Sequence, residues 1–383
     1  MELFDRKSAI AFGLLFPLFL IGLLVWNLLA PDHAYSDEEN RVLESFPAFT
    51  LPTYMEGRYE EHLESYLSDQ YIARDALIRV KTSFDRATLR TESNGVFFGL
   101  DGYLLEDIQV PSEELLTGNR KALEDFQKQH PQLSFAFLLA PNSANINRDK
   151  LPSLAQTADQ DAYIDAFYGS LEELGYQTID VRPLFRENQS STQLYYRTDH
   201  HWTSDGAYLA FQELQKDLDL SSAVTYDSLV VKDDFRGTLA SRSGFNNGIS
   251  DAIKIYMPQG DPYQNSIIYY FDTKEKTTEF YRLDSLDTKD AYTVFGGSNH
   301  PIYTIETPVS SGRCLLLIKD SYANSVIPFL SQCYRKIVVV DPRYYFDDVN
   351  QLIQNQNVTD VLFLYNANTF FTDDSVQRMV PQA

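Results

Sequence analysis

Residues 198–202 read Thr-Asp-His-His-Trp, which places two of the chain's six histidines beside an aspartate. An imidazole next to a carboxylate can act as a general base, because the carboxylate fixes which ring nitrogen carries the proton. Asp199 and His201 are two apart, so an extended segment would turn both side chains to one face and His200 to the other. A second polar group follows a buried run: "LLLIKDSYANS" passes from apolar residues through Lys319 and Asp320 to Ser321. A serine hydroxyl is a weak nucleophile at neutral pH and needs such a base within hydrogen-bond reach. Ser321 as nucleophile, His201 as base and Asp199 as its orienting acid would together perform acyl transfer. Trp202 would wall the site and keep water out.

Each residue has a plainer role open to it. Serines at strand-to-helix junctions are commonly helix caps. An Asp-His-His run can ligate a metal, but His33, His62, His130 and His300 are scattered and supply no second cluster of suitable spacing. His200 can be a structural imidazole satisfied by nearby backbone.

These side chains need elements to hold them. Residues 113–130 and 159–175 have helical periodicity, whereas 133–140, "LSFAFLLA", and 176–181, "YQTIDV", read as strands. The alternation resumes with strands at 314–318, 336–341 and 360–365 and helices at 322–332 and 347–355. Strands alternating with helices imply a parallel sheet, whose ligands gather beyond the carboxyl ends of the strands. Ser321 falls at that edge, with its backbone N–H at a helix start. Thr203 or Ser204 would cap the helix "SDGAYLAFQELQKDL" and fix the Asp-His-His loop. Residues 222–311 show strand-like runs without a long helix and read as a β-rich insertion. Upstream, "GVFFGLDGYLLE" carries a hairpin signal, preceded by a connector and an amphipathic helical pattern.

A formal charge of −22 argues against a nucleic acid partner, which clustered Lys and Arg would have to neutralise. The uncharged run Ser8–Ala30 is long enough as a helix for a membrane crossing. Arg6 and Lys7 precede it and acidic residues follow it, which orients the N-terminus inside, with Trp26 at the outer interface. Leu28 and Pro31 do not suit a cleavage site, so the run reads as an uncleaved anchor rather than a signal peptide. The two cysteines, Cys314 and Cys333, fall at one end of a strand–helix unit, where either a disulfide or two buried thiols is open.

The segments "TDHHW", "KDSYANSVIPFL", "DPRYY", "DFRGTLASRSG" and "ENRVLESFP" resemble the DHHW protein family of Gram-positive bacteria over nearly the whole chain. More distantly, "GLDGYLL", Thr-Asp-x-His-Trp and the later Asp-Ser-Tyr resemble the alginate O-acetyltransferases, whose catalytic domain is SGNH-hydrolase-like. The resemblance implies an α/β fold with a parallel sheet flanked by helices, and a triad of Asp199, His201 and Ser321. Three positions depart from it. Lys319 stands where SGNH enzymes generally carry Gly, Asp199 precedes His201 by two residues rather than three, and His200 replaces a small polar residue. Asn142 or Asn145, after a strand end, is expected as an oxyanion donor, and His200, Trp202 and Tyr322 are expected to line the substrate or oxyanion site. No cofactor or metal is expected.

The expected organisation is a membrane anchor at 1–30, a connector, amphipathic helix and hairpin at 31–112, and an SGNH-like domain at 113–383 with its insertion. The expected function is an extracytoplasmic O-acetyltransferase or acetylesterase acting on a cell-surface or secreted glycan, supplied by a membrane-bound O-acyltransferase. The alternative from another class is a non-catalytic carbohydrate-binding or assembly protein that keeps the fold.

Overall fold

The structure, a computed structural model, describes residues 6–380 except 34, 37–40, 56, 89, 223, 246–247 and 261–264. The chain divides into two compact units, Met1–Arg90 and Thr91–Ala383.

In the first unit a helix runs over Arg6–Leu29, with Pro17 inside it. Among the described residues, no helix is long and apolar enough to cross a membrane. The expected single-pass anchor is corrected accordingly, and with it the membrane partner, the inside-to-outside orientation and the cell-membrane localisation. The amphipathic pattern that follows forms two helices, Arg58–Asp69 and Arg74–Ala87. The break between them holds Ala73 in the left-handed region at φ 56°, and an L side chain there interrupts a right-handed helix. Asp69 secures the break, accepting the Glu44 N–H at 2.9 Å and pairing with Arg74 at 3.6 Å.

The second unit is built on one sheet of eight strands. In chain order these are β1 (Ser134–Ala140), β2 (Gln177–Ile179), β3 (Ile267–Tyr270), β4 (Lys276–Thr277), β5 (Ile302–Glu306), β6 (Cys314–Lys319), β7 (Lys336–Val340) and β8 (Asp360–Asn366). Across the sheet they lie in the order β4-β3-β5-β7-β6-β8-β1-β2. From β7 to β2 every pairing is parallel, as the strand–helix alternation requires. β6 is buried along its whole length and serves two cores: Leu315 and Leu317 pack on one face, Leu316 and Ile318 on the other. A parallel strand covered on both sides reads as a continuous apolar run for this reason.

The expectation of a parallel sheet needs one correction, because β3, β4 and β5 add antiparallel pairs at one edge. These strands come from the insertion. β5 runs antiparallel along β7, from Ile302↔Val340 to Glu306↔Lys336, so part of the insertion extends the sheet itself. A separate two-stranded ribbon, Tyr226–Phe235 with Asp251–Pro258, takes up more of it.

The segment after β6 also differs from the long helix expected at 322–332. It is a 3-10 turn over Ser321–Ser325 and then a short helix over Ile327–Leu330. Pro328 opens that short helix at its first turn. Proline has no N–H to bond back to the preceding turn, so one continuous helix from Ser321 is excluded. Cys314 and Cys333 are both buried and not joined by a disulfide, and burial pushes the Cys333 thiol up to about 12, so it behaves as a packed side chain.

Candidate active site

β6 delivers Ser321 to the carboxyl edge of the sheet. The Asp320 N–H donates to the Leu364 carbonyl at 3.3 Å and ties the strand end to β8. The Asp320 carboxylate then accepts the Tyr322 N–H at 2.9 Å through one oxygen and the Asn366 N–H at 2.8 Å through the other. Ser321 is thus not the cap of its turn. Asp320 does that work and leaves the serine hydroxyl free to meet another group.

The facing loop is a tight bend between Tyr195 and Trp202, which form an antiparallel bridge. The Thr203 N–H donates to the Leu194 carbonyl at 2.8 Å, and the Thr203 hydroxyl caps the helix Ser204–Asp217 by accepting the Gly206 N–H at 3.2 Å. Inside the bend, Asp199 makes an Asx-type turn rather than an extended alternation. Its Oδ1 accepts both the His201 N–H at 2.9 Å and the His201 Nδ1–H at 2.6 Å. The other face of the imidazole's hydrogen-bonding plane meets the serine, with His201 Nε2 2.8 Å from Ser321 Oγ. The three residues singled out by type and spacing therefore form one continuous chain of hydrogen bonds.

Residues of the insertion complete this arrangement, and none carried a chemical signal in the sequence. Asp199 Oδ2 accepts the Thr238 N–H at 2.8 Å and the Thr238 hydroxyl at 3.0 Å. Gly237 lets that backbone approach: a Cβ there would lie 2.2 Å from Asp199 Oδ2. Asp251, on the ribbon, holds the preceding residues by accepting the Arg197 N–H, the Thr198 N–H and the Thr198 hydroxyl at 3.0, 2.9 and 2.7 Å. Tyr292 lies flat on the His201 ring, with centroids 3.7 Å apart and planes 8° apart. "DFRGTLASRSG" was the only one of these stretches to stand out, and only as part of a family pattern.

The charges follow from this packing. Burial alone would raise the Asp199 carboxyl, but the neighbouring charges of His201 and His200 and the hydrogen bonds it accepts outweigh burial and hold it well below the usual carboxylate range. For His201, burial and then the charge of His200 push the imidazole down to about 4, against the pull of Asp199. At neutral pH the pair is a carboxylate and a neutral ring with Nδ1 protonated, so the Nε2 lone pair faces the serine.

The other expected site residues are placed as follows. His200 is half-buried, and its Nδ1 lies 2.6 Å from the Thr238 hydroxyl, which itself donates to Asp199. Its imidazole is satisfied by a side chain, not by backbone. Trp202 is wholly buried, and its indole N–H donates to the Tyr322 carbonyl at 3.0 Å and the Ser325 hydroxyl at 2.9 Å, so it braces the Ser321 turn from beneath instead of walling a cleft. The Tyr322 hydroxyl donates to the His200 carbonyl and ties the two loops together.

Among the described residues, neither Asn142 nor Asn145 hydrogen-bonds to Ser321, His201 or Asp199. The Asn142 amide donates to Glu106 at 3.0 Å and its oxygen accepts from Gln160, while Asn145 is held by Asp161 at 2.9 Å and Arg148 at 2.8 Å. Lys319 is buried with its ammonium 3.7 Å from Asp341, whose carboxylate also takes the Arg343 guanidinium at 2.6 Å. The departure from Gly at this position is thus absorbed by an internal ion cluster.

Asp199, His200 and His201 each offer one atom within 4.8 Å of the others, which is close enough for a metal. Those carboxylate oxygens and ring nitrogens already exchange the hydrogen bonds described above. A cation would have to displace them, which favours the hydrogen-bonded reading over the metal one.

Two family descriptions match the chain: "SGNH hydrolase-like domain, acetyltransferase AlgX" over residues 96–246, and "DHHW protein" over residues 178–340. Among solved structures, the chain is similar to a DHHW family protein from Eubacterium siraeum, at 20% identity and a TM-score of 0.64, over 76% of this chain and 98% of that one. It is also similar to PatB1 of Bacillus cereus, solved with a sulfonyl adduct, at 21% identity and a TM-score of 0.60, over 73% of this chain and 98% of that one. No curated protein matches. Residues 178–340 thus match the DHHW family and residues 96–246 the SGNH-hydrolase-like acetyltransferase domain, and the fold of the chain is of that kind.

Proposed function

We propose that this protein is a serine-dependent O-acetyltransferase or acetylesterase acting on a glycan, with Ser321 as nucleophile, His201 as general base and Asp199 as the group that orients and charges the imidazole. The observation that carries the reading is the pair of contacts on one ring: Nδ1 2.6 Å from Asp199 and Nε2 2.8 Å from Ser321. The match to an acetyltransferase domain supports the acetyl chemistry, and the resemblance to the alginate O-acetyltransferases suggests the glycan.

His201 Nε2 takes the Ser321 proton as Oγ attacks the carbonyl carbon of an acetyl ester. The tetrahedral intermediate carries its negative charge on the former carbonyl oxygen, where the Ser321 N–H serves as a donor. Loss of such a donor raises a barrier by about 2.7–4 kcal/mol in comparable hydrolases. Collapse breaks the ester C–O bond, and the imidazolium returns its proton to the leaving oxygen. The acetyl group is then on Ser321. A sugar hydroxyl or water gives its proton to His201 and attacks this ester, which regenerates the serine. During both steps Asp199 stays ionised and faces the imidazolium.

Purified protein incubated with p-nitrophenyl acetate tests the reading. Release of p-nitrophenol that disappears in Ser321→Ala, in a variant that still melts cooperatively, is the expected result. Equal release by Ser321→Ala would refute it and leave the fold as a binding platform.

A further inference from the structure

A second feature of the same sheet edge has no part in the acyl chemistry. A pocket of about 490 Å³ opens among the loops that leave β1 and β2 and the hairpin Val96–Glu106. Asn147, Gln189, Ser191, Thr192 and Gln193 supply amides and hydroxyls to its lining, and Tyr103 supplies an aromatic ring. The charges in the wall are balanced. Lys150 is held by Asp101 at 2.7 Å and Asp149 at 3.1 Å, and Arg197 lies 4.0 Å from Asp251. Gln189 lines the pocket with its side-chain oxygen turned inward, buried and without a hydrogen-bond partner among the described residues.

We propose that this pocket binds one neutral pyranose ring of the glycan acceptor, at a subsite separate from the one that receives the acetyl group. This inference rests on the glycan reading of the preceding section. Amide and hydroxyl groups that both donate and accept suit a polyhydroxylated ring, and an aromatic ring suits its C–H face. The balanced charge of the wall gives a phosphate or a polyanion no net attraction. The position is right for an extended substrate: β1 and β2 lie two and three strands from β6, which is about 10–14 Å at ~4.8 Å per strand. That separation is the reach of a few linked sugar rings. The pocket and the triad also share a strut, because Asp251 accepts Gln193 Nε2 from the pocket wall at 2.8 Å and the N–H of Thr198 beside the catalytic aspartate.

Calorimetric titration of the full chain carrying Ser321→Ala with cellotetraose, chitotetraose and maltotetraose tests the subsite without turnover. At least one tetrasaccharide should bind, and Ser191→Trp, at an exposed rim position, should weaken that binding at least tenfold by filling the pocket. Gln189→Leu should weaken it several-fold while the melting temperature holds or rises. Binding that neither substitution alters, or no binding of any tetrasaccharide, overturns the subsite. Tetrasaccharide binding that Ser191→Trp abolishes, in a protein whose Ser321 form shows no ester hydrolysis, upholds the subsite and overturns the catalytic reading instead.

Discussion

Replacing Asp199 by Asn keeps the shape of the side chain and removes its charge, and the structure specifies what that should do. The carboxylate accepts from four donors: the N–H and Nδ1–H of His201, and the N–H and hydroxyl of Thr238. An amide offers one oxygen and presents an NH2 on the other side. If the oxygen faces Thr238, the NH2 meets the His201 N–H and ring. The ring then accepts at Nδ1 and carries its proton on Nε2, pointing at Ser321, where it can no longer act as a base. If the oxygen faces His201, the Thr238 N–H is left buried against an NH2, at about 1–3 kcal/mol of stability. The imidazolium also loses its counter-charge in a buried site. In hydrolases built on this logic, the same substitution lowers kcat by ~10⁴, or about 5.4 kcal/mol at ~1.36 kcal/mol per decade. A loss of about 10³–10⁴ in kcat for p-nitrophenyl acetate, with a melting temperature lowered by only a few degrees, is therefore expected. An Asp199→Asn protein within tenfold of the parent would refute the assigned role of the carboxylate.

The pH dependence follows from His201, which must be neutral to accept the serine proton. Its pKa of about 4 places the acid limb of kcat/KM near that value rather than near the usual ~6.5 of histidine, with activity falling as pH drops through it; a limb above 6 would contradict the burial argument. Gly237→Ala puts a Cβ 2.2 Å from Asp199 Oδ2, so overpacking of about 1–3 kcal/mol and a loss of activity out of proportion to it should be seen in melting and ester hydrolysis. Tyr292→Leu removes the ring stacked on His201 and should cost about 0.5–1.5 kcal/mol of barrier, roughly two- to thirteenfold in kcat. Tyr292→Phe, which keeps the stack, should be within a factor of two or three of the parent, and equal losses in both variants would assign the effect to the hydroxyl.

The parts of the site that the sequence discloses are those whose residue types are chemically unusual. Two adjacent histidines after an aspartate, and a serine after a buried run, stand out by composition alone. The supporting residues do not. Thr238, Gly237, Asp251 and Tyr292 are ordinary types in a polar segment, and their role comes from tertiary approach. The antiparallel edge was illegible for a related reason: "IIYY" and "IYTIE" mark strands, but alternation says nothing of direction or partner. Pro328 marks the break after Ser321, whereas the apolar run "VIPFL" around it has the pattern of a buried helix. The run Ser8–Ala30 illustrates the opposite limit. Its composition foretells the helix Arg6–Leu29, whereas the inferred membrane crossing is not supported among the described residues. The amides Asn142 and Asn145 were placed correctly at a strand end, but the polar neighbours that occupy them, Glu106, Asp161 and Arg148, lie on other elements.

The most direct test of the account is the fate of the acetyl group. Acid quench of the protein during turnover of p-nitrophenyl acetate, followed by peptide mass spectrometry, should find one acetyl group, on the Ser321 hydroxyl, and none in His201→Ala under the same conditions. Turnover with the Ser321 peptide unmodified at every quench time and its acetylation undetectable even when deacylation is slowed at low pH, together with undiminished turnover by Ser321→Ala, would contradict the account.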